Sequence, residues 1–218
     1  MRAFHPEAEG WSSALEPWER EYLAGLFKQI ADLLGADAPA ASQRPGPRPG
    51  ESPRDGNVLA ALDFEPAAPD AGASSSLPAS LAPLLDVLLP DASEDPEVAV
   101  EVAALTRSQL RDDKRSRMED VVHELLAPTG PGGAVLVRAG QEGRWLGALN
   151  DARLVLAERL SIDSAEVAEQ VHALAWDDAP VEEGERQRWN RAMALSYDML
   201  SWWQESLVAV LLNGDGPA

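Results

Sequence analysis

Two carboxylate-x-x-histidine pairs, Asp120 with His123 and Glu169 with His172, are the residues whose types and spacing come nearest to catalytic chemistry. Positions three apart share a helix face, so each pair would offer a carboxylate oxygen and an imidazole nitrogen to one cation, as in di-iron carboxylate bundles. That chemistry uses Glu in both pairs and two further inward Glu residues, and Asp120 departs from it. A di-metal carboxylate protein is therefore the third of three readings. The three His residues are dispersed, "GPGG" lacks the Lys-Ser/Thr of a phosphate-binding loop, and nothing resembles a nucleophile elbow or a zinc-ligand cluster. The expectation is a protein without catalysis, cofactor or metal.

A second constellation is electrostatic. The run "RSQLRDDKRSR" sets Arg107, Arg111, Lys114 and Arg115 at i, i+4, i+7 and i+8 on one helix face, with Arg117 two residues on. Such a stripe suits phosphates or an acidic partner, and these four cations together with Trp202 are the candidate partner or DNA contacts. The plainer reading is a solvated face neutralised by Asp112, Asp113, Glu119 and Asp120. A helix-turn-helix in "LAERLSIDSAEVAEQVHAL" has suitable proportions, but no Lys or Arg lies between Arg159 and Arg186. A reading helix needs donors for guanine and phosphate, and this one offers carboxylates.

The third constellation lies within "WLGALNDARLVLAERL", residues 145–160, where Asn150, Asp151 and Arg153 interrupt a helix otherwise fit for burial. Arg153 lies three positions from Asn150 and on the side of Leu149 and Leu156, so it should turn toward the packed face. The expectation is a structural network of Asn150, Asp151 and Arg153 with Tyr197, Asp198 and Glu205 on the last helix. Asp198 or Glu205 would accept a charge-assisted bond from Arg153.

These residues sit in a chain of 218 with 18 Lys and Arg against 37 Asp and Glu, a formal charge of -19. The length suits one core with or without a long insert, and the charge repels nucleic-acid phosphates and anionic lipid on average. With no cysteine, disulfides, thiolate ligands and thiol-based sensing are excluded for these residues. The opening "MRAFHPEAEGW" has no apolar signal-like region and no run approaches a membrane span, so a cytoplasmic protein is expected.

A small hairpin around Glu9 and Gly10 precedes a helix that starts at Pro17 and ends near Gly35, with Tyr22, Leu26, Ile30 and Leu33 as its apolar face. Residues 1–35 form part of a single core. Residues 36–80, rich in Pro, Ala, Gly and Ser, read as a disordered linker with one apolar island, "NVLAALDF". Residues 81–213 read as a helical core. It begins with a short helix at 81–90 and a longer one capped by Asp95, with a break near Thr106 from a possible Thr106–Gln109 capping box. The strand candidate is "AVLVRAG", 134–140. The fold class is mainly α with a small antiparallel β element (α+β), a helical bundle in which the last helix, from about 185 to 212, is central. Its stripe of Trp189, Met193, Ser196, Leu200, Trp203, Leu207 and Val210 is widened by Leu195, Met199 and Trp202. Trp203 should lie in the core and Trp202 partly outside it.

"LLP", the Thr-Leu-Lys run of the middle helix, "WLGALNDARLVLAERL" and "YDMLSWWQESLVAVL" together resemble an actinobacterial family catalogued as domain of unknown function 2017 and also called AosR. The resemblance covers the N-terminal hairpin and helix and everything from about residue 81. It implies a cytoplasmic regulator of transcription in oxidative stress and redox homeostasis, working with an alternative sigma factor, and the mechanism expected here is protein contact with that sigma factor or with RNA polymerase. The family's gene neighbourhoods, with the ClpS adaptor and cysteine biosynthesis, imply a second reading: a non-catalytic adaptor or structural protein linked to ClpS-dependent proteolysis. With net charge as it stands, DNA contact should be weak or assisted by the partner.

Overall fold

The computed structural model describes residues 1–36, 81–91, 93, 95–178 and 182–213; apart from Ala36, the expected linker and its apolar island lie outside these. Strand β1 (His5–Glu7) turns through Ala8 and Glu9 into β2 (Gly10–Ser13), and β2 pairs on its other side with β3 (Val135–Arg138). The sheet is antiparallel in the order β1-β2-β3, with Trp11 opposite Val137 and Ser13 opposite Val135. Gly10 is required there: its φ is +154°, and a Cβ would lie 2.0 Å from the Val137 carbonyl oxygen.

Six α-helices among the described residues make the rest: α1 (Pro17–Ala36), α2 (Ala82–Leu88), α3 (Pro96–Leu126), α4 (Glu142–Arg159), α5 (Ala165–Trp176) and α6 (Glu185–Leu212). The protein is thus mainly α with a three-stranded antiparallel sheet. Pro17 and Pro96 open α1 and α3, where a missing N–H costs nothing. Ser164 caps α5 by accepting from the Val167 N–H at 3.3 Å. The expected break at Thr106 is absent: its hydroxyl donates to the Val102 carbonyl one turn back, and α3 runs on unbroken. A Thr bonded in this way needs no cap, and no Pro or Gly lies inside α3 to end it.

Helix α4 is the hub, touching α1, α2, α3, β3 and α6. This corrects the expectation that α6 is central, since α6 packs on α4, α5 and β1 and leaves Trp202 and Glu205 exposed. Small residues allow α4 its role: Ala148 and Ala152 are fully buried, and with Leu149 and Leu156 they let neighbouring helices approach on several sides. The expected face of α1 holds at Leu26 and Ile30, which are buried, and at Leu33, which packs against the core; Tyr22 is the exception. Leu23, Phe27 and Leu34 are buried with them, whereas Tyr22 is exposed and reaches the Ser196 hydroxyl of α6 through its own. A phenol at the edge of a core leaves part of its ring in water while its hydroxyl finds a partner, here the buried Ser196.

Trp203 joins the layers. It is fully buried, stacks on Phe4 at a ring separation of 5.2 Å and meets Trp145 edge-on at 6.0 Å. Its indole N–H donates to Ser13 Oγ at 2.9 Å, and that hydroxyl donates onward to the Arg2 carbonyl. The one polar atom of the largest buried ring is thereby satisfied.

Candidate functional site

Where α3 crosses α4, two cations meet one carboxylate. Lys114 Nζ lies 2.5 Å from Asp151 Oδ1, and Arg117 NH2 lies 2.9 Å from Oδ2, with Asp151 only 2% exposed. A lone buried carboxylate or ammonium would be costly, so each ion here is tolerable only because of the others. Gly147, one turn before Asp151, makes the seat: a Cβ there would stand 2.6 Å from Arg117 NH1. Gly147 and Asp151 thus act as a pair on one face of α4, the first admitting the guanidinium and the second neutralising it. The Arg117 Nε remains buried without a hydrogen-bond partner.

Arg153 turns from the next face of α4 onto α6, but not to the expected carboxylates. Its Nε donates to Ser201 Oγ at 2.8 Å and its NH1 to Gln204 Oε1 at 3.2 Å, while the guanidinium carbon sits 5.6 Å from the Tyr197 ring centroid. Residues 197, 201 and 204 recur at helical spacing, so one planar fork spans two turns of α6. Asp198 is the next residue round and faces α5 instead, pairing with His172 Nδ1 at 2.8 Å and accepting from Trp176 Nε1 at 2.6 Å. Glu205 and Asn150 are exposed. The expected network therefore divides into an α3–α4 ion centre through Asp151, an α4–α6 bridge through Arg153 and Tyr197, and an α5–α6 clasp through Asp198.

The candidate contact stripe on α3 disperses. Lys114 is 9% exposed and committed to Asp151, so its assignment as a partner or DNA contact is corrected to a buried structural ion. Arg107 lies 3.7 Å from Asp91, Arg111 is half-buried, and Arg115 pairs with Glu119 at 2.9 Å beside Gly35 at the end of α1. A shared helix face becomes a contact surface only if no other helix covers it, and α1 and α4 cover parts of this one. Trp202 is 44% exposed, next to the buried Trp203. The carboxylate-x-x-His pairs do not converge: Asp120 binds Arg144 and His172 binds Asp198, so each is used between different helices. At the end of α4, burial pushes the Arg159 guanidinium below its ordinary value.

The residues that sequence reasoning missed surround a cleft between α3, β3 and the start of α4. Arg138 ends β3, Arg144 lies in the first turn of α4, and both line it with Arg117 and His123. Arg144 donates to Asp120 and, at 3.2 Å, to Ser116; Arg138 donates to Thr129 Oγ1 at 3.0 Å. The signal was the two arginines of "VRAGQEGR" flanking a tight strand-to-helix turn at Gly140, whose φ is +88°.

Fold and site together describe a small helical protein organised around charged interhelical clasps. Its distinctive segments, residues 145–160 and 197–207, are largely accounted for by the packing of α4 against α3 and α6. The chain belongs to the family described as Domain of unknown function (DUF2017), whose model matches residues 1–211. No curated protein and no solved structure matches it.

Proposed function

We propose that this protein is a non-catalytic cytoplasmic regulator of transcription in oxidative stress and redox homeostasis, working through protein contact with an alternative sigma factor or RNA polymerase. The resemblance carried by the 145–160 and 197–207 segments supplies the regulatory context. The observation that carries the mode of action is the exposure of large aromatic side chains on a strongly acidic body: Trp176 is 64% exposed, Trp18 63% and Trp202 44%, in a chain of net charge -19. Tryptophans at a surface are the usual anchors of protein interfaces, and such a charge favours protein over DNA as the direct partner. Promoter specificity then resides mainly in the partner. The signal also comes from elsewhere than a thiol, and among the methionines Met118 and Met193 are buried out of reach of oxidants.

Affinity capture with the full chain tests this reading. A sigma factor or polymerase subunit should co-purify, promoter DNA should bind only when that partner is present, and Trp202→Ala should weaken the capture without altering the circular dichroism spectrum. Recovery of proteolysis components alone would overturn it in favour of a ClpS-linked adaptor.

A further inference from the structure

The cleft between α3, β3 and α4 encloses about 210 Å³. Its apolar lining comes from Val121, Leu136 and Trp145, and its cationic lining from Arg138 on β3 and Arg144 on α4, with His123 and the Asp151-paired Arg117 beside them. Such a concentration of guanidinium runs against the charge of the whole chain, which is -19.

The acids in the cleft do not cancel it evenly. Glu124 is 7% exposed and fully engaged: its carboxylate accepts from the Thr129 N–H at 2.8 Å, the Leu136 N–H at 2.9 Å and the Thr129 hydroxyl. Asp120 is the remaining carboxylate, and its bond to Arg144 is a surface pair with both side chains about half exposed. A pair so placed is readily exchanged for another anion, because water already screens it. On the cation side there are donors to spare. A guanidinium carries five N–H bonds, and Arg138 uses one of its nitrogens and Arg144 two.

From this geometry we propose that the cleft binds a small oxyanion, a phosphate or carboxylate borne by a metabolite-sized molecule. The volume decides the class of ligand, since pockets for drug-sized molecules run roughly 300–1,000 Å³ and this one is smaller. Planar guanidinium forks on β3 and α4 grip the oxyanion as bidentate donors, and the apolar lining takes the small body that bears it. The site is independent of which macromolecule the protein binds.

Titration calorimetry on the full chain, with inorganic phosphate and with acetate at constant ionic strength, provides the test. Saturable binding of either anion is expected, the preferred one identifying the head group, and Arg138→Gln and Arg144→Gln should each weaken it by about tenfold, the equivalent of about 1.4 kcal/mol. Arg107→Gln and Arg115→Gln, elsewhere on α3, should leave it unchanged. Amide shifts on titration should centre on Leu136, Gly140 and Arg144, a readout that holds even if a cleft variant folds poorly. Absence of saturable binding by both anions, or equal loss in the Arg107 and Arg115 variants, overturns the proposal.

Discussion

Asp151 shows how much depends on one side chain when charges are buried together. Asp151→Ala removes the carboxylate that Lys114 and Arg117 share, and breaking a buried pair in this way costs about 3–5 kcal/mol. Lys114→Met should cost clearly less, because Arg117 still neutralises Asp151; urea denaturation of both variants reads the difference. Gly147 gives a sharper test of its role as a seat. Ala is better than Gly by about 1 kcal/mol inside a helix, yet here its methyl would displace Arg117. Gly147→Ala should therefore fail to stabilise the wild-type chain and should stabilise an Arg117→Ala chain by about 1 kcal/mol, a coupling that a double-mutant cycle measures. At this scale the sequence was partly legible. That Arg153 turns to α6 could be read from its spacing, but its partners could not. Ser201, Gln204 and the Tyr197 ring satisfy a guanidinium as a carboxylate would, and only the rotation of α6 decides which residues face it.

At the scale of elements, α5 is held differently from the other helices. It packs on α6 alone among the extensive contacts, and Val171 is its one buried side chain. Polar clasps do much of the work: Asp198 takes His172 and Trp176, and Arg191 donates to the Leu174 and Asp177 carbonyls at 2.8 and 2.7 Å, closing the C-terminal end of α5. Asp198→Ala combined with Arg191→Ala should free the α5 amides to exchange rapidly while those of α4 keep their protection; uniform loss of protection across both helices would contradict this. The elements themselves were the most legible layer. Prolines at helix starts and a β-branched run between glycines marked α1, α3 and β3 because those signals are local. The place of α6 was not legible. An apolar stripe states that a face is covered, not by how many neighbours, and α4 rather than α6 proved to be the helix covered on most sides.

For the whole molecule, no helix among the described residues is long and apolar enough to cross a membrane, and one hydrophobic cluster runs from Phe4 through α1–α4 to Val210. The proposed role places recognition on the outside of this body, so variants of the Asp151 centre should act on partner capture only through stability, whereas Trp202→Ala should act on capture alone. Trp203 is the point at which the body closes. Trp203→Ala should cost about 3–5 kcal/mol by thermal or chemical denaturation, in the range of large aromatic truncations in a core. Its bond to Ser13 spans 190 positions of sequence. During synthesis, the first hairpin emerges with Phe4 and Ser13 uncovered and waits through almost the whole chain for the ring that seals it. The hairpin is thus sealed only once α6 has been made, and a chain arrested before α6 would present an unsealed sheet to the quality-control machinery of the cell.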